Sequence, residues 1–211
     1  MFNRVIYHND TIYKNKFKLK RVMDIFLSLS IIILISPLLI AISLLIKISS
    51  KGEIIYQQDR VTKQGQIFKI YKFRTMYTNA EDKTGPVFAD QNDQRCTLIG
   101  NILRKISFDE LPQLFNVLKG EMSIVGPRPE RPYYVEKFES ELNDYYRRHE
   151  FKTGMTGLAQ IKGFRGKTSI EERLKYDLKY IENYSLLLDL EIIYLTILIV
   201  IKDIKNTLLS R

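Results

Sequence analysis

The 211-residue chain has one cysteine, Cys96, and two histidines, His8 and His149. A single cysteine excludes an intramolecular disulfide framework and fits a reducing compartment, and so few Cys and His, so far apart, leave no spacing for a zinc site. There is no G-x-x-x-x-G-K-[ST] loop and no G-x-G-x-x-G fingerprint, which argues against a P-loop ATPase and a dinucleotide-binding domain. Acidic residues are in the minority: 33 Lys and Arg stand against 24 Asp and Glu, a formal net charge of +9. Such a surplus points to an acidic partner, whether nucleic acid, an anionic membrane surface or a phosphorylated substrate. Disorder is excluded by 45% hydrophobic against 27% charged residues, and the length suffices for one sizeable domain.

Charge is missing altogether from Ile25 to Ile46, a 22-residue apolar run. At ~1.5 Å per residue a straight helix of that length measures about 33 Å, enough for a ~30 Å hydrocarbon core. The run exceeds a signal-peptide core and no A-x-A-like cleavage site follows it. Both flanks are basic, with Arg4, Lys14, Lys16, Lys18, Lys20 and Arg21 before it and Lys47 and Lys51 after it. Positive charge favours the cytoplasmic side, so a spanning helix satisfies that rule on one flank only and a hairpin satisfies it on both. Ser36-Pro37 falls near the middle. Pro37 removes the amide that would bond to the Ile33 carbonyl, and the Ser36 hydroxyl can take that carbonyl's place as partner. On the residues alone, a kinked spanning helix and a re-entrant helix-break-helix stay equally open.

Beyond the run, Glu53–Gln58 and Gln66–Thr75 flank a Lys63-Gln64-Gly65 turn and read as a hairpin. Asn79–Arg95 reads as a polar loop. Helices are expected at Leu98–Lys105, Leu111–Lys119, Tyr133–Arg148, Ile170–Glu182 and Leu186–Ile204, with loop and turn over Gly154–Gly166. The apolar stretch Ile192–Ile201 is too short to span a bilayer and reads as core or interface.

Chemistry concentrates in Arg104-Lys105-Ile106-Ser107-Phe108-Asp109-Glu110-Leu111-Pro112. A capping box from Ser107 to Glu110 is the structural reading, but it would place Pro112 where a helical amide is already needed, so a start nearer Pro112 fits better. An ionised aspartate beside Arg104 and Lys105 is what a carboxylate needs to attack phosphorus, because the cations neutralise a phosphate that would repel it. Arg128, between Pro127 and Pro129, is either pre-organised for a bidentate phosphate contact or a solvated residue on a rigid connector. Lys72 and Arg74 share one face of the second strand, as a phosphate cradle or a solvated face. Arg165, in the glycine-punctuated segment 163–168, is a weaker phosphate candidate. A membrane-tethered nucleic-acid-binding or scaffold protein is the rival from another class. It uses the charge but leaves Asp109-Glu110 unexplained, and no recognition-helix or stacking pattern supports it.

Taken in order, Ser36-Pro37, KFRTM at 72–76, RKISFDELPQLFNVLKGEMSIVGPRPE at 104–130, TGMTGLAQIKG at 153–163 and SLLLDLEI at 185–192 resemble the bacterial sugar transferase family, the monotopic polyprenyl-phosphate phosphoglycosyl transferases. Glu130-Arg131-Pro132 and the segment 168–173 look more like the catalytic part of its polysaccharide-initiating members. The resemblance implies an α+β fold, predominantly helical with a small β-hairpin. It implies a basic segment 1–21, a re-entrant membrane helix 22–50 broken at Ser36-Pro37, and a cytosolic catalytic domain 51–211 with interfacial amphipathic helices, on the cytoplasmic face of the bacterial inner membrane. The implied substrates are a UDP-sugar, leaning toward a UDP-hexose such as glucose or galactose, and a polyprenyl phosphate. By the same resemblance Asp109 is the nucleophile, Glu110 its auxiliary, and both hold Mg²⁺; Arg104 and Arg128 match family arginines and Asp189 a family aspartate, and with Lys72, Arg74 and Arg165, read from the residues, they are the expected substrate-binding set. Membrane lipid is an expected partner, nucleic acid is not, and a homodimer is left open. Lys152-Thr153-Gly154 departs from the family's usual Lys-Pro-Gly at a cost in loop rigidity.

Overall fold

A computed structural model describes residues 11–78, 80, 93–166 and 168–209, with side chains from Phe17 onward. The fold is mostly helical with two small sheets. In chain order it comprises α1 (Thr11–Ser49), β1 (Ile55–Val61), β2 (Ile67–Phe73), α2 (Leu98–Lys105), α3 (Gln113–Lys119), β3 (Ser123–Val125), α4 (Pro132–Glu141), β4 (Gly154–Thr156), α5 (Leu158–Ile161), α6 (Ile170–Glu182) and α7 (Leu186–Leu209). Single 3-10 turns lie at Lys63–Gly65, Phe108–Glu110 and Tyr145–Glu150.

Helix α1 is longer than its apolar run and reaches back into the basic segment. By length and composition it can cross a bilayer. Asp24, Ser28, Ile42 and Ile46 are buried on one face, while Phe26, Ile33, Leu34, Ile40 and Ile48 stand exposed on the other. The expected break is not seen as a loss of helix: the assignment continues through Pro37. The Ser36 hydroxyl donates to the Ile33 carbonyl at 2.9 Å, so the acceptor orphaned by proline is satisfied without unwinding. Both halves of α1 rest on the same body. Phe17, Leu27, Ile31 and Ile35 pack on a core of Phe68, Leu114, Val117, Ile124, Val125 and Ile192, and the second half packs Ile42 and Ile46 against Phe73 and Leu103.

The hairpin forms as expected, with β1 antiparallel to β2 in a register pairing Ile55 with Phe73 and Val61 with Ile67. Phe68 and Ile70 point into the core by strand alternation. Two expectations need correction. The helix expected over Tyr133–Arg148 stops at Glu141, because Leu142 turns extended at φ −122° and ψ 124°; Asp144 then adopts left-handed φ of 62° and a separate 3-10 turn follows. The glycine-rich segment 154–166 is not all loop: it contains β4, which pairs in parallel with β3, and α5. That parallel pair depends on bare backbone. A Cβ at Gly126 would lie 2.3 Å from the Lys152 carbonyl, and one at Gly154 would lie 2.1 Å from the Gly126 amide nitrogen. Most of the expected loop 79–95 lies outside the described residues.

Candidate active site

The carboxylate pair sits on a short, sharply turned segment. Helix α2 ends at Lys105, Ser107 takes a left-handed φ of 60°, and Phe108–Glu110 form a 3-10 turn before Pro112 and α3. No capping box forms, since Ser107 makes no cap bond; its hydroxyl instead accepts from Arg165 Nη1 at 3.2 Å. Pro112 stands just before the first residue of α3, where its missing amide does no harm. Phe108 and Leu111 pack beside the second half of α1, Phe73 and Leu103, which fixes the turn at both ends.

Glu110 is clamped. Its Oε1 accepts from Lys72 Nζ at 2.7 Å and Arg128 Nη2 at 2.6 Å, and its Oε2 from Arg128 Nη1 at 3.2 Å. Arg128 therefore does make a forked contact, but its partner is a carboxylate of the protein. Burial alone would raise the Glu110 pKa; Arg128 and Lys72 outweigh it and hold the group well below the usual carboxylate range. Arg128 is raised in turn, first by Glu110.

Asp109 is the opposite case. It is 9% exposed and, among the described residues, has no hydrogen-bond or ion-pair partner. Burial, with a contribution from Glu110, pushes its pKa up to about 6, against the pull of Lys72, Arg104 and Arg128. The aspartate is thus desolvated yet mostly ionised at neutral pH, by about tenfold at pH 7. A carboxylate stripped of hydration and surrounded by cations is a competent nucleophile toward an anionic electrophile.

The other sequence candidates separate. Lys72, Arg104 and Arg128 act on Asp109 electrostatically, and Arg104 Nη1 donates to Cys96 Sγ at 2.9 Å. Arg165 reaches the segment through Ser107 and lies 3.7 Å from Asp203. Arg74 serves elsewhere: buried, it donates to the carbonyls of Glu53 and Ser50 (2.8 Å) and to Ser50 Oγ (3.0 Å), capping the end of α1. Asp189 is 0% exposed and accepts from Lys20 Nζ and Tyr180 OH, each at 2.7 Å, which ties α1 to α6 and α7.

Several supporting residues were not among the sequence candidates for the site. Arg148 is buried, pairs with Asp177 at 2.7 Å and donates to the Arg128 carbonyl at 2.8 Å. Glu130 is buried between Arg173 and Arg60, and Arg60 also donates to the Pro129 carbonyl at 3.1 Å. These contacts fix the backbone around Arg128. Asn116 accepts from the Tyr71 amide at 2.9 Å and donates to the Lys69 carbonyl at 2.8 Å, so α3 is clipped to the strand that carries Lys72. Its polarity within the apolar face of Leu114-Phe115-Asn116-Val117-Leu118 was the one available clue. Gln113, at the start of α3, is buried and, among the described residues, neither of its amide atoms is partnered.

The arrangement is suited to group transfer on an anionic substrate, beside a helix apolar enough to enter a membrane. A family profile described as bacterial sugar transferase matches residues 15–203, and the chain belongs to that family. It is 47% identical over 182 residues to a UDP-glucose:undecaprenyl-phosphate glucose-1-phosphate transferase of Klebsiella pneumoniae, covering 84% of this chain and 39% of the relative. It is 43% identical over 181 residues to a UDP-N-acetylgalactosamine-undecaprenyl-phosphate N-acetylgalactosaminephosphotransferase of Aeromonas hydrophila, covering 85% and 43%. An exopolysaccharide production protein PSS of Rhizobium leguminosarum bv. phaseoli is 42% identical over 186 residues, covering 85% and 93%. The chain spans about two fifths of the length of the first two.

Proposed function

We propose that the protein transfers a sugar 1-phosphate from a UDP-sugar to undecaprenyl phosphate and so initiates assembly of a polysaccharide. The observation that carries this is Asp109: desolvated, unpartnered and facing three cations, next to a glutamate that two of those cations immobilise. The names of the relatives support both substrates, and two of the three name a UDP-hexose or its N-acetyl derivative as donor.

The reaction runs in two displacements. An Asp109 carboxylate oxygen attacks the β-phosphorus of the UDP-sugar, the bond from that phosphorus to the bridging oxygen breaks, and UMP leaves. A phosphate oxygen of the polyprenyl phosphate then attacks the same phosphorus and frees Asp109, giving polyprenyl diphosphosugar. The acceptor is largely dianionic near neutral pH, its second pKa being about 6, so no strong general base is needed. Lys72 and Arg128, held on Glu110, and Arg104 present positive charge where the diphosphate would sit.

A magnesium ion fits as a shared ligand rather than a caged one. Among the described residues no group of three carboxylate, His or Cys side chains exists to enclose a metal. Mg²⁺ commonly binds one or two carboxylates together with substrate phosphate oxygens. Asp109 has free oxygens for this, with Glu110 adjacent; when bound, the ion supplies neutralisation of the diphosphate charge.

For the membrane, the support is that both flanks of the apolar run in α1 are tied to one body: Arg21 donates to the Val117 and Leu118 carbonyls, and Arg74 caps the C-terminal end of the helix. A helix that crossed would carry one end to the far side. The reading is therefore re-entrant, with the catalytic body on the cytoplasmic face of the inner membrane. In detergent, sustained UMP release is expected only with both undecaprenyl phosphate and a UDP-hexose, and is expected to be lost in Asp109→Asn. Release independent of the lipid, or undiminished in that variant, refutes the proposal.

A further inference from the structure

The foot of α1 carries positive charge that the catalytic reading leaves unused. Lys20 is neutralised by Asp189. Arg21 donates to the Val117 and Leu118 carbonyls at 2.5 and 2.7 Å and so caps α3 at the end opposite the nucleophile. Gly120 closes that helix in a left-handed conformation, φ 85°. A Cβ on Gly120 would lie 3.4 Å from Arg21 Nη2 and 3.6 Å from Lys152 Nζ, so both cations converge over this glycine. Lys63 stands 5.1 Å from the Phe17 ring centroid, and Phe17 packs edge-on against Phe151, the neighbour of Lys152.

Among the described residues none of Arg21, Lys63 and Lys152 is paired with a carboxylate. Asp24 is the acid whose field reaches Lys152, but its Oδ1 is occupied by the Ser123 hydroxyl and the Ile124 amide at 3.0 and 2.9 Å. Burial and the charges of Arg21 and Lys63 depress Lys152, and burial depresses Lys63, the mark of a place where an anion would be welcome. The cluster is remote from Asp109: seven residues of α3 separate the two ends, about 10 Å. It also lies where the exposed apolar face of α1 begins, at Leu19, Val22 and Phe26. At a membrane boundary the abundant anion is a headgroup phosphate, and juxtamembrane cations are attracted to it.

We propose that Arg21, Lys63 and Lys152 bind the phosphodiester of an anionic phospholipid headgroup, seating the catalytic body on the membrane at the foot of α1. This rests on the membrane reading of α1. The site is separate from the one that handles the substrate phosphates.

The test uses the full chain in neutral detergent and follows its thermal midpoint on adding dihexanoyl phosphatidylglycerol, dihexanoyl phosphatidylcholine or inorganic phosphate. Phosphatidylglycerol is expected to raise the midpoint at concentrations where the other two do not. Lys63→Gln/Lys152→Gln is expected to need at least tenfold more phosphatidylglycerol for the same shift, and to release UMP in detergent at the wild-type rate. Lys63→Gln alone, which gives up only a half-buried ring contact, serves as the milder variant and is expected to weaken the response part-way. An equal shift with phosphatidylcholine overturns the headgroup site in favour of non-specific apolar binding, and an equal shift with inorganic phosphate overturns the lipid in favour of a free anion. An unchanged response in the double variant overturns the assignment to these cations. A phosphatidylglycerol response alongside evidence that α1 spans the bilayer refutes the topology and leaves the site standing.

Discussion

At Asp109 and Glu110 two neighbouring carboxylates are pushed in opposite directions, and each direction predicts a measurement. Protonated Asp109 cannot attack, so kcat/KM for the UDP-sugar is expected to fall about tenfold per pH unit below about 6 and to level off above it. The same shift has a stability consequence. Because the folded pKa exceeds the unfolded one, the stabilisation is present at low pH and lost as pH rises from about 4 through 6. Asp109→Asn keeps the neutral form at every pH, so it is expected to be more stable than wild type by on the order of 3 kcal/mol at pH 7 and equal to it near pH 3, in urea unfolding. Glu110→Gln leaves Arg128 and Lys72 without an anion and is expected to lower turnover about a hundredfold. Arg128→Lys keeps the charge but loses the fork on Glu110, so a loss of tenfold or more is expected; near-normal UMP release would show that the fork is dispensable. Gln113→Leu removes two orphaned polar atoms from the core and is expected to raise stability by about 1 kcal/mol.

Among the elements, legibility followed period and length. Helices α2 and α6 lie where their patterns place them, each opened by a hydroxyl cap, Thr97 accepting from the Gly100 amide and Ser169 from the Glu172 amide. Strands β3 and β4 have three residues each, too few to show a period, and their pairing is set by backbone approach at Gly126 and Gly154. In the site, the types of Asp109, Glu110 and Arg128 advertised chemistry, but which charge pairs with which is a tertiary fact: Glu110 and Arg128 are 18 residues apart and Lys20 and Asp189 are 169 apart. Arg74, read as part of a phosphate cradle or of a solvated face, is buried against the end of α1; a cation beside a strand and a cation capping a helix are the same letter. Its replacement by Ala is expected to cost about 2 kcal/mol, measured by urea unfolding, because carbonyls at the end of α1 lose their donor. For α1 itself, single cysteines replacing Asp10 and Gln66 in a Cys96→Ser background are both expected to resist a membrane-impermeant thiol reagent in intact cells. Labelling of one and not the other establishes a spanning helix.

Across the whole molecule, apolar exposure is gathered on helices. Besides α1, helix α7 shows Leu187, Leu190, Tyr194, Ile197 and Ile201 to the outside at three- and four-residue spacing, as a helix lying on a lipid surface would. The buried ion pair of Lys20 with Asp189 joins those two helices, while Arg21 and Asp24 of α1 grip α3 and β3. The carboxylate turn precedes α3 and Arg128 follows β3, so α1 and the proposed reacting groups share one scaffold. The central claim is that Asp109 becomes covalently loaded. Intact-protein mass spectrometry after mixing the enzyme with its UDP-sugar and Mg²⁺, without lipid acceptor, is expected to show one added hexose phosphate, with about one equivalent of UMP released and the adduct mapped to Asp109. An adduct mapped to any other residue, or one formed equally by Asp109→Asn, contradicts the account.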